Sequence, residues 1–94
     1  SFEGDSGLAT LRSVRLNKAF ISAGGIHPSR GVSCTNFHEV LAKRAAMENA
    51  LVSYLVADSS KFGRLTPAYF ADLRSFAAIV TETGIAPPPR PEGG

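Results

Sequence analysis

The stretch Leu55–Arg64, LVADSSKFGR, decides how this chain is read. It opens as an apolar run and passes abruptly into an acid, two hydroxyls, a lysine, an aromatic residue and a glycine. With the residues before it, it gives SYLVAD (53–58), a short run containing aromatic and β-branched residues that favours a strand. A short apolar run closed by turn residues fits a buried strand of the kind found in parallel sheets. The turn that follows is either a solvated bend or the rim of a site.

Working upstream, KAFISAGGI (18–26) repeats the pattern, an apolar run ended by Gly24 and Gly25, and predicts another buried strand. HPSRGVSC (27–34) reads as a loop. From Asn36 the period changes. Phe37, Val40, Leu41, Ala45, Met47, Leu51 and Val52 fall on one helical stripe, and Asn36 with Glu39 has the spacing of a capping box. The expected helix therefore runs from Asn36 to about Val52. Nearer the start, Asp5 or Ser6 can cap a short helix through about Asn17, with Leu8, Leu11 and Val14 on one side.

Downstream, TPAYFADLRSF (66–76) places Pro67 where a helix of about two turns could begin, and AAIVTE (77–82) reads as a third strand. APPPRPEGG (86–94) reads as an extended tail without fixed structure. The division is thus residues 1–86 as one unit and 87–94 as a disordered tail. Strands alternating with helices imply an α/β unit with a small, mainly parallel sheet, and ligand chemistry at the C-terminal ends of its strands. Three turns become interesting: SAGGI, CTNFHE and ADSSKFG.

Composition narrows the function. Ninety-four residues with 44% hydrophobic content and a formal net charge of +2 suit one small unit with a thin core. The basic residues are scattered, which argues against a nucleic-acid stripe or a basic membrane-binding helix. No apolar run approaches the roughly 20 residues of a membrane span, and SFEGDSGLAT does not read as a secretion signal. The single cysteine, Cys34, reads as a packed thiol in a reduced, cytoplasmic protein. His27 and His38 lack ligand-like spacing to each other or to Cys34, so neither a metal nor a cofactor is expected.

Several residues carry two readings. Lys61 can offer its ammonium to a phosphate or carboxylate at the sheet edge, or remain a solvated loop lysine. Asp58 can orient Lys61 or a ligand hydroxyl, or simply form the turn, and Ser60 lies between the two. Gly24 and Gly25 permit a close approach of ligand to backbone, or merely end a strand. Glu39 can act as a base or hydroxyl ligand, or as a cap. Arg44 and Glu48, one turn apart, suit a partly buried ion pair or a polar subunit contact.

Taken together, KAFISAGGIHPSRGV, TNFHEVLAKRAAM and VADSSKFGR resemble, in order and spacing, the C-terminal sensor domain of DeoR-type bacterial transcription regulators. The resemblance runs from about Gly4 to Glu82 and covers the later half or so of that domain. It implies a Rossmann-like three-layer fold, similar to ribose-5-phosphate isomerases and CoA transferases, and arrangement as a homo-oligomer. It further implies a sugar phosphate or related metabolite as effector, and DNA as the partner of a winged helix-turn-helix outside this stretch. The family's glycine-rich phosphate-binding turn also falls outside it. By the resemblance Lys61 belongs to the effector site, and with SAGGI and ADSSK expected side by side at the strand ends the candidate effector-binding residues are Gly24, Gly25, Glu39, Asp58, Ser60 and Lys61. Isomerases of this fold carry catalytic acids, DGAD, where this chain has Ile21, Ser22, Ala23 and Gly24. Both carboxylates are replaced, so no enzyme activity is expected, although ADSSK looks like the isomerases' substrate-contacting segment. Leu41 stands where the regulators' EAEVKR helix usually has an acid. A residual sugar-phosphate isomerase and an oligomerisation fragment without ligand are the alternatives; the missing acids oppose the first, and Lys61 with Glu39 opposes the second.

Overall fold

The structure, a computed structural model, describes residues 16–88. Strand β1 (Leu16–Ser22) leads into a hairpin of β2 (Gly25–His27) and β3 (Gly31–Cys34). A 3-10 turn, Phe37–Glu39, then enters helix α1 (Val40–Asn49), which passes directly into β4 (Ala50–Val56). A second 3-10 turn, Ser59–Lys61, precedes β5 (Ala68–Ala71). A third, Leu73–Ser75, precedes β6 (Ala78–Thr81), and β7 (Gly84–Ala86) folds back on β6. Two sheets result, ordered β1-β4-β6-β7 and β2-β3-β5. In the first, β1, β4 and β6 are parallel and β7 is antiparallel; the second is antiparallel throughout.

The α/β class and the parallel strands β1, β4 and β6 agree with the sequence pattern. Other expectations are corrected. HPSRGVSC is not a loop: His27 closes β2, and the turn through Pro28–Arg30 returns the chain into β3 at Gly31, whose φ of 84° suits only glycine. His27 itself fixes that turn, its Nδ1 accepting from Ser29 N and Arg30 N at 3.1 and 3.2 Å. TPAYFADLRSF forms no helix over its first half. Ala68, Phe70 and Tyr69 alternate between buried and exposed, the period of a strand, and β5 pairs with β3. The long helix is shorter than its stripe suggests, because Leu51 and Val52 belong to β4. The helix expected from Asp5 or Ser6 lies outside the described residues, except that Leu16 and Asn17 open β1. Ala86 closes β7, and residues 89–94 lie outside the described residues.

The core forms between the two sheets, with α1 on the same side. Ala19 and Ile21 from β1, Leu55 from β4 and Ile79 from β6 face Ile26, Val32, Ala68 and Phe70 of the second sheet. Ile26, Val32 and Leu55 are completely buried, each contributing about 1.5–3 kcal/mol from burial. The opposite face of the parallel sheet carries Phe20 stacked on Tyr54, with centroids 5.4 Å apart, and the exposed Val56 and Ile85. Among the described residues the parallel sheet is therefore covered on one face, and a third layer is not seen there. No helix among them is long and apolar enough to cross a membrane.

Candidate functional site

The parallel pairing brings the ends of β1 and β4 together, with Ser22 opposite Val56 and Val56 opposite Val80. The three turns singled out in the sequence converge at this edge. Gly63 N donates to Ile26 O at 2.7 Å, and Phe62 bridges Ile26 in parallel, joining ADSSKFG to SAGGI. Thr66 secures the same loop, its N and Oγ1 donating to the buried Ser33 Oγ at 3.1 and 2.6 Å. Lys43 of α1 reaches the end of β1, its Nζ donating to Ser22 O at 2.9 Å and Ser22 Oγ at 3.0 Å.

Asp58 caps the second 3-10 turn. Its Oδ1 accepts from Ser60 N at 3.0 Å and from Ser60 Oγ. These bonds, aided by the charges of Lys61 and Arg64, hold the Asp58 carboxyl below its usual range. From the end of β6, Glu82 accepts from Ser59 N at 2.9 Å and Ser59 Oγ at 2.6 Å. That hydroxyl bond is the main reason its carboxyl is also held down, against the opposing charge of Asp58. Lys61 is half-buried, and its ammonium makes no hydrogen bond or ion pair with a described residue.

Gly24 and Gly25 lie against the chain's own loop. A Cβ on Gly25 would come within 2.5 Å of Arg64 O, and one on Gly24 within 3.3 Å of Thr66 Cγ2. Glu39 enters α1 as its N-cap but makes no side-chain cap bond, and neither does Asn36. The two residues bond each other instead, Asn36 Nδ2 donating to Glu39 Oε2 at 3.0 Å, with Lys43 Nζ 3.7 Å from Glu39 Oε1. The expected capping box is thus replaced by a side-chain pair, because the first turn is 3-10 and offers a different geometry. The Asn36 bond is the main reason the Glu39 carboxyl is held down, with help from the charges of Lys43 and His38.

Arg44 forms no ion pair with Glu48 among the described residues. Its Nε donates to Phe70 O at 2.9 Å and its Nη2 approaches Tyr69 O at 3.4 Å, anchoring α1 to β5. Both residues line a groove of about 550 Å³ together with Met47, Ser53 and Asp72. None of the six candidate effector-site residues lies in it. Cys34 is buried at the end of β3, and burial pushes its thiol up, which disfavours the thiolate. No group of three or more acidic, His or Cys side chains among the described residues could hold a metal ion.

The sequence reading missed Lys43, Ser22 and Glu82. The only local signal was the four-residue spacing of Glu39 and Lys43, which places both on one side of a helix.

Comparison with known proteins decides the family. Residues 1–83 match the model of the DeoR C-terminal sensor domain. The chain belongs to the DeoR sensor-domain family. It is 41% identical over 73 residues to the deoxyribose operon repressor of Escherichia coli (strain K12), covering 78% of this chain and 29% of that protein. It is 37% identical over 81 residues to the HTH-type transcriptional regulator IolR of Bacillus subtilis (strain 168), covering 86% and 32%. It is 33% identical over 86 residues to the glycerol-3-phosphate regulon repressor of Escherichia coli (strain K12), covering 92% and 33%. The DeoR-type chain thus spans about a third of the length of these relatives.

Proposed function

We propose that this chain is the effector-sensing part of a DeoR-type transcription regulator, binding a phosphorylated sugar or related metabolite at the C-terminal edge of β1 and β4. Lys61 contacts the phosphate or a sugar oxygen. Gly24, Gly25, Glu39, Asp58 and Ser60 border the same site. The observation that carries this reading is the Lys61 ammonium, which makes no hydrogen bond or ion pair with a described residue, beside a strand-end turn whose own hydroxyl and amide donors are held by Asp58 and Glu82. The names of two relatives, a deoxyribose operon repressor and a glycerol-3-phosphate regulon repressor, support a small polyol or its phosphate as the effector class.

DNA is contacted by a segment other than residues 16–88, since these display no recognition helix beyond α1, which is engaged with the core. Effector and DNA binding are linked only if the effector distinguishes the DNA-bound from the free form. The sheet with α1 is read as part of a Rossmann-like unit similar to the ribose-5-phosphate isomerase and CoA-transferase fold, supported by two adjacent parallel pairs. Homo-oligomerisation is part of the proposal, and sedimentation equilibrium checks it. Catalysis is not, because the end of β1 and the turn after it offer Ser22, Ala23 and Gly24 in place of acids.

Titration calorimetry with a panel of sugar phosphates tests the site. Losing a charge-assisted hydrogen bond costs roughly 1.5–3 kcal/mol, so Lys61→Met weakens the effector about ten- to a hundredfold. Unchanged affinity would return Lys61 to a solvated loop residue.

A further inference from the structure

The groove of about 550 Å³ beside α1 draws on the second half of that helix, Arg44, Met47 and Glu48, away from the strand ends of the proposed effector site. Half-buried Met47 and the ring of Tyr69, 48% exposed, give it apolar walls. Its charges do not balance. Arg44 brings one guanidinium, whose Nε and Nη2 are already turned to Phe70 O and Tyr69 O. Against it stand two carboxylates, Glu48 and Asp72. Glu48 makes no hydrogen bond or ion pair with a described residue. Asp72 accepts from the Tyr69 hydroxyl at 2.6 Å and meets Arg74 only at 3.5 Å, with both side chains half or more exposed, so acceptor capacity remains. Apolar walls with an excess of negative charge suit an extended segment that carries a cation.

The chain sends such a segment there. Strand β7 runs antiparallel to β6 with Ala86 opposite Ile79, so beyond Ala86 the backbone heads back toward the start of β6. That start lies at the groove: Ala77 N donates to Ser53 O at 2.9 Å, and Ser53 and Ser75 both line it. Residues 82–87 are exposed and Pro88 is half-buried, so burial resumes as the chain returns. Continuing the β6–β7 register sets position 90, an arginine, level with Ser75. Prolines at 87, 88, 89 and 91 flank that arginine. They hold the stretch extended before it docks, which lowers the entropy cost of ordering it, and proline-rich segments pack well on aromatic side chains. At about 3.1 Å per residue, residues 87–94 reach about 25 Å, against about 15 Å for the whole of α1.

We infer that the groove is the docking surface for the chain's own segment 87–94, with its prolines against Tyr69 and Met47 and the Arg90 guanidinium between Glu48 and Asp72. The segment then acts as a strap from the end of β7 to α1, in place of the free tail expected from its composition. This is independent of the effector site.

Paramagnetic labelling of the whole chain tests it. A nitroxide is attached at Gly93→Cys, the native Cys34 being buried and so protected. Docking broadens the amides of Met47, Glu48, Tyr69 and Asp72 more strongly than those of Ser22 and Lys61. Arg90→Glu and Glu48→Arg each lower that broadening about two- to fivefold, the range set by one exposed ion pair, and the two changes combined restore it. Unmoved amide shifts at Ile26 and Leu55 separate undocking from loss of the fold. The inference is overturned if the groove amides are not broadened, or if Arg90→Glu leaves their broadening unchanged. It is equally overturned if an isotope-labelled unaltered chain, mixed with nitroxide-bearing chains that lack the isotope, shows the same broadening, since the occupant is then a second copy.

Discussion

Replacing Gly25 by alanine tests how the fold builds the site. The added Cβ would lie 2.5 Å from Arg64 O, 3.0 Å from Arg64 C and 3.1 Å from Ser33 Oγ, against an ordinary contact of about 3.5 Å or more. Two of these atoms are backbone, so no rotamer change relieves the clash. Arg64 must retreat by most of an ångström, yet it is held on both sides, by Gly63 N on Ile26 O and by Thr66 on Ser33 Oγ. Overpacking of this kind costs about 1–3 kcal/mol. For a domain of this size, a loss of about 2 kcal/mol lowers the melting temperature by roughly 8–16 °C. Gly24→Ala is the comparison: its nearest contact is Thr66 Cγ2 at 3.3 Å, a side-chain atom only slightly closer than an ordinary contact. Thermal melts followed by circular dichroism, with hydrogen exchange at the Gly63 and Thr66 amides, read both effects. Gly25→Ala lowers the midpoint and speeds exchange at both amides, while Gly24→Ala changes the midpoint little. A Gly25→Ala protein that melts with the unaltered chain and keeps those amides protected would refute the claim that the two turns are locked together there.

Leu55→Ala removes a completely buried side chain between the sheets and destabilises by about 2–5 kcal/mol, measured by urea unfolding. Glu82→Gln lowers the melting temperature near neutral pH, and the gap closes on acidification. The sign follows from the lowered carboxyl of Glu82: its contribution is complete above the unfolded-state value and is lost as pH falls through the folded one, so melts across the acid range check it. The chain gives no salt-sensitive mobility shift with duplex DNA, because its basic residues form no stripe. A coupled assay finds no interconversion of aldose and ketose phosphates above a Lys61→Ala control.

Strands β1, β4 and β6 were legible because a buried parallel strand is written as a continuous apolar run, as in AFIS and YLVA. The hairpin of β2 and β3 was hidden by Pro28 and Gly31, which read as loop punctuation although they build a turn between two three- or four-residue strands. Strand β5 was hidden by Pro67 and by alanines that suit either element, and its pairing with β3 joins residues more than thirty positions apart. Leu51 and Val52 continued a helical stripe by chance of spacing, and no glycine marks the end of α1, since Ala50 turns straight into extended backbone. At the site, Asp58, Ser60 and Lys61 are contiguous and so were visible as a unit. Lys43 was not, because a lysine on a helix ordinarily reads as solvated, and its partner Ser22 lies twenty-one residues away. Glu82 is invisible for the same reason, contacting Ser59 across twenty-three residues through the register of β4 and β6.

The central claim is that the C-terminal edge of β1 and β4 receives a phosphorylated polyol. Amide chemical-shift mapping of the isotope-labelled chain, titrated with ribose 5-phosphate, 2-deoxyribose 5-phosphate and glycerol 3-phosphate, tests it most directly. The account predicts saturable shifts for at least one of them, clustered at residues 22–26, 39–43 and 57–64. Saturable shifts centred instead on the groove of Arg44, Tyr69 and Asp72, or no saturable shift with any of the three, would contradict it.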